Sequence, residues 1–372
     1  MLLESVEVHN FRNLTGTVLP AEELNILIGE NGHGKTNWLE AIYLLSAAKS
    51  FKTAKPEEII RFGEEMAIVR GTVRQSRNIH RGLQVAIQGK TKSIAVNGKK
   101  EPLADYLGQL HAVVFNADQL ETVRGLPEHR RRFLDAGITS LHPPFVQTFS
   151  DYGRVIRQKN SLLQTARDGD YSPEKTAELL APWNEQLIAL ANRIYKGRLR
   201  FVKRLNDALE KKLFGREEVA VRYVSALEGK GDHSDYEALL AERLILRVRA
   251  ELAAGHSLIG PHRDDLEIMS DGHDIRKYGS AGQQRSALLL LLLANIAVYF
   301  STRGEYPLFL LDDIDAELDY RRIGNLLEFL QGKTQTFATT SKEHFAAKFG
   351  ARAVVFSIQN GAAGTLALNA SI

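Results

Sequence analysis

One eight-residue string, GENGHGKT at Gly29–Thr36, constrains the fold of this chain more than any other feature. It fits the phosphate-loop pattern GxxxxGK[ST] in full. Such a loop requires an apolar strand before it and a helix after it. The sequence provides both, because Leu24–Ile28 is an apolar run and apolar residues recur at helical spacing after Thr36. The string therefore predicts an α/β fold built around a phosphate-binding loop.

Each residue type in this loop has a physical task. Glycines let the backbone wind tightly, so that its N–H groups point inward at the phosphates of a nucleotide. Lys35 is expected to neutralise the β- and γ-phosphates, and the Thr36 hydroxyl is expected to bind Mg²⁺. We therefore predict ATP and Mg²⁺ as cofactors. The predicted cofactor-binding loop comprises Gly29, Glu30, Asn31, Gly32, His33, Gly34, Lys35 and Thr36.

A second feature is a pair of acidic residues. The string PLFLLDD at 307–313 is an apolar run that ends in Asp312 and Asp313. A strand that ends in paired carboxylates suits a P-loop protein, since one acid can hold Mg²⁺ through water and the next can polarise the attacking water. We predict the metal role for Asp312 and the water-activating role for Asp313. Asp315 is expected to belong to the following loop.

Composition limits the class of protein further. A hydrophobic share of 44% and a charged share of 25% are typical of a globular chain. The absence of cysteine excludes disulfides and thiol chemistry and fits a reducing, cytoplasmic setting. The N-terminus lacks the charged and apolar regions of an export signal. The run of six leucines at 288–293 is broken by Asn295 and predicts a buried core helix, so no membrane association is expected.

The order of segments along the chain predicts a split domain. Alternating β-branched residues at 66–73, 83–87 and 93–96, with a turn at Asn97-Gly98, indicate an antiparallel strand cluster. Apolar residues at helical spacing dominate from about Glu128 to 252. We predict an ATPase domain (lobe I) over 1–128 and 250–372, interrupted at 129–249 by a helical insertion (lobe II) of short antiparallel helices.

A third string, YGSAGQQR at 278–285, precedes the leucine-rich helix. Ser280 and Gly282 open a helix whose positive N-terminal end could hold a phosphate, and Gln283 adds a polar contact. An N-cap on a buried helix explains the same residues equally well.

Together these features resemble the split ATPase heads of the ABC and SMC class. Four further strings resemble the RecF family of bacterial recombination-repair proteins over residue 4 to beyond 340. They are NFRNL at 10–14, GLPEHRRRFLD at 125–135, GPHRDD at 260–265 and LLDDIDAELD at 310–319. The fold class implied is an ABC/SMC-like split P-loop head with a mixed sheet, an antiparallel β subdomain and an inserted helical lobe.

The resemblance implies a nucleotide site shared by two subunits. Ser280, Gly282 and Gln283 of one subunit would meet the γ-phosphate held by another, which makes the protein an ATP-dependent homodimer. Asp319 matches the loop that crosses this interface, and Arg12 matches an arginine near the nucleotide, with a surface arginine in a turn as the alternative interpretation of Arg12. The metal-sensing glutamine falls near Asn116–Leu120, where Asn116, Asp118 and Gln119 are candidates and Gln119 is preferred.

The resemblance also implies slow hydrolysis, because the segment FATTS at 337–341 offers hydroxyl groups where ABC transporters carry a switch histidine, and His344 comes too late. Double-stranded and gapped DNA is the implied partner, with the mediators RecR and RecO and, through them, the recombinase RecA, in replication-fork repair and the SOS response. Two basic clusters are candidate DNA contacts. They are Arg124 with Arg130, Arg131 and Arg132, and the helical set Lys196, Arg198, Arg200, Lys203 and Arg204.

Three other classes fit the sequence less well. An ABC-transporter subunit would not carry so long an insertion. A cohesin-like protein would need sustained heptads, which Pro173, Pro182 and the segment Asp168-Gly169-Asp170 interrupt. A metabolic kinase would need an arginine-rich lid and would not need the string at 278–285. An SMC-like or ABC-type ATPase subunit of another complex remains the alternative.

Overall fold

The computed structural model describes residues 1–14, 16–20, 23–75, 79–211, 218–350 and 353–366. Its strands are β1 (Leu2–His9), β2 (Thr17–Pro20), β3 (Leu24–Ile28), β4 (Met66–Gln75), β5 (Ile79–Gln88), β6 (Thr91–Val96), β7 (Lys99–Lys100), β8 (Ala112–Phe115), β9 (Val219–Val224), β10 (Asp265–Ser270), β11 (His273–Asp274), β12 (Leu308–Leu311), β13 (Thr336–Thr340), β14 (Val354–Gln359) and β15 (Ala362–Leu366). Its helices are α1 (Lys35–Ala47), α2 (Leu103–Tyr106), α3 (Glu121–Arg124), α4 (Pro127–Leu141), α5 (Phe145–Asp168), α6 (Pro173–Leu209), α7 (Tyr236–Leu246), α8 (Val248–Ala254), α9 (Ile275–Tyr278), α10 (Ala281–Arg303), α11 (Ile314–Glu317), α12 (Tyr320–Leu330) and α13 (Glu343–Phe349).

The chain forms two compact units. The first contains Met1–Leu120 together with the described residues from Ala281 onward, and the second contains the described residues between Glu121 and Ser280. The first unit is made from two distant parts of the chain, as a split domain requires.

Two six-stranded sheets build the first unit. One is antiparallel in the order β2-β1-β4-β5-β6-β7, and the other runs β15-β14-β3-β13-β12-β8. In the second sheet β3 pairs in parallel with β13 on one side and β14 on the other, and only the edge strand β15 is antiparallel. The carboxyl ends of β3, β12, β13 and β8 therefore meet at one edge, where ligands bind in parallel sheets.

Helix α1 forms the core of this unit because it contacts strands of both sheets. Trp38, Leu39, Ile42 and Leu45 on α1 are fully buried. A helix buried on several sides needs apolar residues around most of its circumference, and α1 meets that need. The position of α1 in turn fixes the loop that precedes it.

Helix α10 is long and apolar enough to span a membrane by length and composition alone, but most of its apolar window is buried in the protein. All six leucines at 288–293 are at most 4% exposed. The prediction of a buried core helix is confirmed.

The second unit contains α3 to α9 and a three-stranded sheet in the order β11-β10-β9. The predicted end of the insertion at residue 249 differs from the structure, in which this unit extends to Ser280. The reason is strand pairing. Strand β9 lies inside the predicted helical segment, and β10, which follows residue 249, pairs with β9 in antiparallel orientation and so joins the second unit. The prediction missed β9, although its alternate residues Val219, Val221 and Tyr223 are buried.

The helices of this unit are also longer than predicted. Helix α5 has 24 residues and α6 has 37, and they pack together after a short turn. Pro173 begins α6 after the Ser172 cap, whereas Pro182 lies within the helix. An internal proline costs about 3 kcal/mol. Burial of Leu180 and Leu187 on either side of Pro182 offsets that cost.

Candidate nucleotide-binding site

The predicted phosphate loop connects β3 directly to α1. Gly34 precedes the helix with a φ of 106°, a backbone conformation that other residues rarely adopt, and no side chain caps the helix there. A Cβ on Gly29 would lie 2.4 Å from the carbonyl oxygen of Ile358, so only glycine allows this approach to β14. The backbone N–H groups at the start of α1 therefore have no side-chain cap, and a phosphate is an anion that such N–H groups bind.

Lys35 lies across this loop and is only 4% exposed. Its Nζ donates to the carbonyl oxygens of Gly29 at 2.8 Å and Glu30 at 3.0 Å, and lies 3.4 Å from Asn31 Oδ1. The ammonium group therefore sits inside the curve of the loop. This is where it can neutralise a bound phosphate.

Thr36 and Asp312 meet at the edge of the mixed sheet. The Thr36 hydroxyl donates to Asp312 Oδ1 at 2.8 Å, and the Thr339 hydroxyl donates to the same oxygen at 2.8 Å. Burial raises the pKa of Asp312, while the two hydroxyl hydrogen bonds act in the opposite direction. A hydroxyl and a carboxylate converging beside a phosphate loop provide the oxygen ligands that Mg²⁺ prefers.

Thr339 is a site residue that sequence reasoning did not select. Thr339 lies near the carboxyl end of β13, and its Oγ1 also accepts a hydrogen bond from the backbone N–H of Asp313 at 2.8 Å. Asp313 itself is exposed and has a φ of 45°. The sequence feature that could have indicated Thr339 is the hydroxyl-rich string at 337–341. This string lies on β13, which pairs with β12, the strand that precedes Asp312.

Arg12 is held by a buried partner that the sequence did not reveal. Its guanidinium donates through Nε and Nη2 to the two carboxylate oxygens of Glu40, both at 2.8 Å. Glu40 lies on α1 with a fully buried side chain and also accepts from the Ser50 hydroxyl at 2.5 Å. Arg12 is therefore not a solvated turn residue, and its predicted contact with the nucleotide remains a prediction.

Lys52 is a further cation on this side of the unit. Its Nζ donates a hydrogen bond to Asn37 Oδ1 at 2.9 Å, and Asn37 directly follows Thr36 in the sequence. Burial lowers the pKa of Lys52, whereas the nearby carboxylates of Glu40, Asp312 and Asp118 raise it.

Gln119 lies in the 3-10 turn Ala117–Leu120 that follows β8. Its backbone N–H donates to Asn116 Oδ1 at 2.9 Å, so Asn116 shapes the turn. The Asp312 N–H donates to the carbonyl oxygen of Phe115 at 2.9 Å. The turn thus begins beside Asp312, and its role as a metal-sensing loop stays a prediction.

The remaining predicted contacts lie at helix starts. Ser280, Gly282 and Gln283 are exposed around the first residues of α10. Asp319 caps α12 by accepting the Arg322 N–H at 2.9 Å. That cap is the local role of Asp319, and its predicted role across an interface stays a prediction.

Two of the predicted DNA-contacting arginines are buried instead. Arg130 is 3% exposed and forms a two-bond ion pair with Asp265, at 2.6 and 2.8 Å. Arg198 is also 3% exposed and pairs in the same way with Asp135, at 2.9 and 3.0 Å. The sequence analysis named both as candidate DNA contacts, which their burial contradicts. Helical periodicity turns them inward, where they join elements of the second unit.

Within the described part of the chain, no three His, Asp or Glu side chains are grouped to hold a metal ion. A phosphate-bound Mg²⁺ does not need such a group, because phosphate and water supply most of its ligands. The predicted metal ligands Thr36 and Asp312 are adjacent and fit this arrangement.

Fold and site together define an ATPase head of the ABC and SMC class. The family model described as "RecF/RecN/SMC N terminal domain" matches residues 2–363. The "DNA replication and repair protein RecF" of Shouchella clausii is 34% identical over 97% of this chain and 98% of that protein. The protein of the same name from Bacillus pumilus is 36% identical over 92% and 93%. The chain belongs to the RecF family, and the predicted resemblance and fold class are confirmed.

Solved structures agree with this assignment. The structure of "the recombination mediator protein RecF-ATP in RecFOR pathway" has a TM-score of 0.88 and 32% identity, covering 98% of both chains. An SMC head bound to the C-winged helix domain of ScpA has a TM-score of 0.56 at 15% identity, and shows the fold alone.

Proposed function

We propose that this chain is an ATP-dependent DNA-binding protein of recombination repair, in which ATP joins two copies into a homodimer that clamps duplex or gapped DNA. The observation that carries the proposal is the hydrogen bond between Thr36 and Asp312 beside an uncapped phosphate loop. The RecF relatives, one of them solved as RecF-ATP, support the same nucleotide.

The residues of the loop divide the work of binding and hydrolysis. Lys35 and the backbone N–H groups at the start of α1 hold the phosphates, and Thr36 and Asp312 hold Mg²⁺, with Gln119 near the same metal. A Mg²⁺ ion held by Thr36 and Asp312 would supply positive charge against the charge that develops on the phosphates. Asp313 orients and polarises the attacking water. The hydroxyl-bearing segment at 337–341, which replaces the switch histidine of ABC transporters, supports slow turnover. Stimulation of that turnover by DNA is part of the same proposal.

Dimerisation is supported by the exposure of the signature segment. Ser280, Gly282 and Gln283 lie exposed at the N-terminal end of a 23-residue helix, where a γ-phosphate from a second subunit can be bound. Asp319 is exposed at the start of α12 and belongs to the same proposed interface.

DNA contact is assigned to the exposed basic face of α6. Arg193, Lys196, Arg200 and Lys203 are exposed and recur at helical spacing. Among the described residues, no carboxylate lies within ion-pair distance of these four side chains. Such a row can contact phosphates without reading bases. We further propose a cytoplasmic setting and cooperation with RecR and RecO in loading RecA, in line with the pathway named for the solved relative.

Sedimentation of the purified chain with and without Mg-ATP tests the proposal, together with ATP-dependent binding to gapped duplex. We expect a monomer to become a dimer with Mg-ATP. Lys35→Arg should keep some nucleotide binding and lose hydrolysis, whereas Ser280→Arg should bind ATP as a monomer. Loss of ATP binding in Ser280→Arg would place this residue in the pocket of its own subunit and overturn the shared site. ATP-dependent dimers without DNA affinity would favour an ATPase subunit of another complex.

A further inference from the structure

The turn between β14 and β15 lies against the phosphate loop. A phosphate is held by backbone N–H groups that point into such a loop, so a loop carbonyl that faces away needs a donor from elsewhere in the protein. For the carbonyl oxygen of His33 this donor is the backbone N–H of Gly361, at 2.9 Å. Gly361 is buried. The shape of the loop at His33 therefore depends on a turn that lies near the other end of the described chain.

The same turn also touches a residue that braces the loop from another side. A Cβ at Gly361 would overlap the backbone carbonyl oxygen of Asn13, so the two backbones approach closely. The side-chain amide of Asn13 in turn lies within 3.0 Å of the position that a Cβ on Gly34 would take. Its Oδ1 accepts a hydrogen bond from Asn37 Nδ2 at 2.8 Å, at the start of α1. Gly361 therefore supports the loop directly through His33 and indirectly through Asn13.

Strand pairing fixes the position of this turn relative to the loop. Strand β14, which leads into the turn, pairs in parallel with β3, which leads into the loop. Asn360 and Gly361 have φ values of 49° and 84°, which are typical of a two-residue hairpin turn with the sequence Asn-Gly. The turn and the loop thus follow neighbouring strands at the same edge of the sheet.

We propose that Gly361 is a positioning residue of the nucleotide site, and that the β14–β15 turn sets the shape of the phosphate loop. This inference rests on the proposed binding of Mg-ATP by that loop. Gly361 acts through the His33 carbonyl and Asn13 rather than on the nucleotide itself. The N–H groups of the loop hold the phosphates in the ground state and in the transition state alike, so a displaced turn raises KM more than it lowers kcat.

Steady-state ATP hydrolysis by Gly361→Ala tests the proposal, because the added methyl group meets the Asn13 carbonyl and moves the turn away from the loop. We expect KM for ATP to rise at least about tenfold and kcat to change by less than about threefold. Gly98→Ala is the matched control. Asn97 and Gly98 form a turn with nearly the same φ values, 50° and 79°, and a Cβ on Gly98 has nothing within 4 Å. The control should strain its turn in the same way and change KM by less than about twofold.

Amide hydrogen exchange of the wild-type chain gives a second readout, in case Gly361→Ala does not fold. Saturating Mg-ATP should slow exchange in the segment 354–366 at least about threefold, because an ordered loop holds the Gly361 N–H more firmly. Exchange in the segment 91–100, which contains the control turn, should not change. The same slowing is expected in Ser280→Arg with bound ATP, because the bond between Gly361 and His33 lies within one subunit.

Equal KM values for Gly361→Ala and Gly98→Ala would overturn the positioning role and leave nucleotide binding by the loop in place. Unchanged exchange at 354–366 in the ATP-bound wild type would overturn it too. Slowing that occurs in the wild type but not in ATP-bound Ser280→Arg would assign the protection to a contact between subunits and contradict the proposal. A wild-type chain that does not bind Mg-ATP would overturn the proposed function, and this inference with it.

Discussion

The Thr36 hydroxyl donates to Asp312 Oδ1 at 2.8 Å, although 276 positions separate the two residues in the sequence. The contact joins the phosphate loop to the end of the acidic strand, so the two side chains that would hold Mg²⁺ are adjacent in the fold.

Thr339 provides a sharp test of this arrangement, because its hydroxyl holds both Asp312 and the N–H of Asp313. We expect Thr339→Val to lower the rate of ATP hydrolysis about ten- to hundredfold, since a hydrogen bond to a charged group contributes about 1.5–3 kcal/mol. ATP affinity, measured by equilibrium dialysis, should be retained. Thr339→Ser should restore turnover. Unchanged hydrolysis in the valine variant would remove Thr339 from the site.

The Arg12–Glu40 ion pair predicts a loss of stability. Arg12→Ala leaves the fully buried Glu40 carboxylate without its cation, which should lower the free energy of unfolding by about 3 kcal/mol in urea titrations. Arg70→Ala, at an exposed position of β4, should have little effect.

The double variant Arg12→Met, Glu40→Leu should recover most of that stability. Its ATP affinity then reports on the predicted contact between Arg12 and the nucleotide. If Arg12→Ala proves as stable as the wild type, Glu40 is not buried as an ion.

DNA binding should depend on salt through α6. Replacing Arg200 and Lys203 by glutamine removes two cations, so the slope of log K against log salt concentration should fall by about 1.8. Arg157→Gln, on the exposed face of α5, should leave the slope unchanged. Arg130→Gln should instead destabilise the fold, because it breaks the ion pair with Asp265. An unchanged slope in the α6 variant would move the DNA surface elsewhere.

His111 predicts a pH dependence of stability. Burial lowers its pKa to about 4, and the charge of Arg303 adds to this shift. The unfolded residue has a pKa near 6.5, so between about pH 6.5 and 4 the unfolded chain binds a proton that the folded chain does not. Stability should therefore fall as the pH drops through this range.

His111→Phe should preserve the stacking on Tyr299, whose ring centroid lies 4.7 Å away, and reduce this acid sensitivity in thermal melts between pH 7 and 4.5. Replacing the exposed His273 by phenylalanine should leave the acid sensitivity of stability unchanged. Equal acid sensitivity in the two variants would show that His111 is not the group that titrates.

Sequence patterns predicted the parts of this molecule that follow local rules. The phosphate loop, the acidic strand and the buried leucine helix each depend on residues that are close in sequence. Thr339 and Glu40 escaped prediction because their importance depends on contacts with distant elements. A threonine in a strand and a glutamate in a helix are common, and only packing shows that one supports Asp312 and the other holds Arg12.

Basic residues illustrate the same limit. The triplet Arg130-Arg131-Arg132 has a uniform charge, yet the helix directs Arg130 to Asp265 and leaves Arg132 exposed. Strand β9 was missed for a different reason, since its alternating pattern was readable but its partner β10 lay beyond the predicted boundary.

The position of β3 has a consequence for biosynthesis. Its two neighbours in the sheet, β13 and β14, leave the ribosome only after the whole second unit has been made. Until then β3 lacks both hydrogen-bonding neighbours, and the loop after it lacks Asp312. In a nascent chain this site is therefore completed only after β12, β13 and β14 have been made.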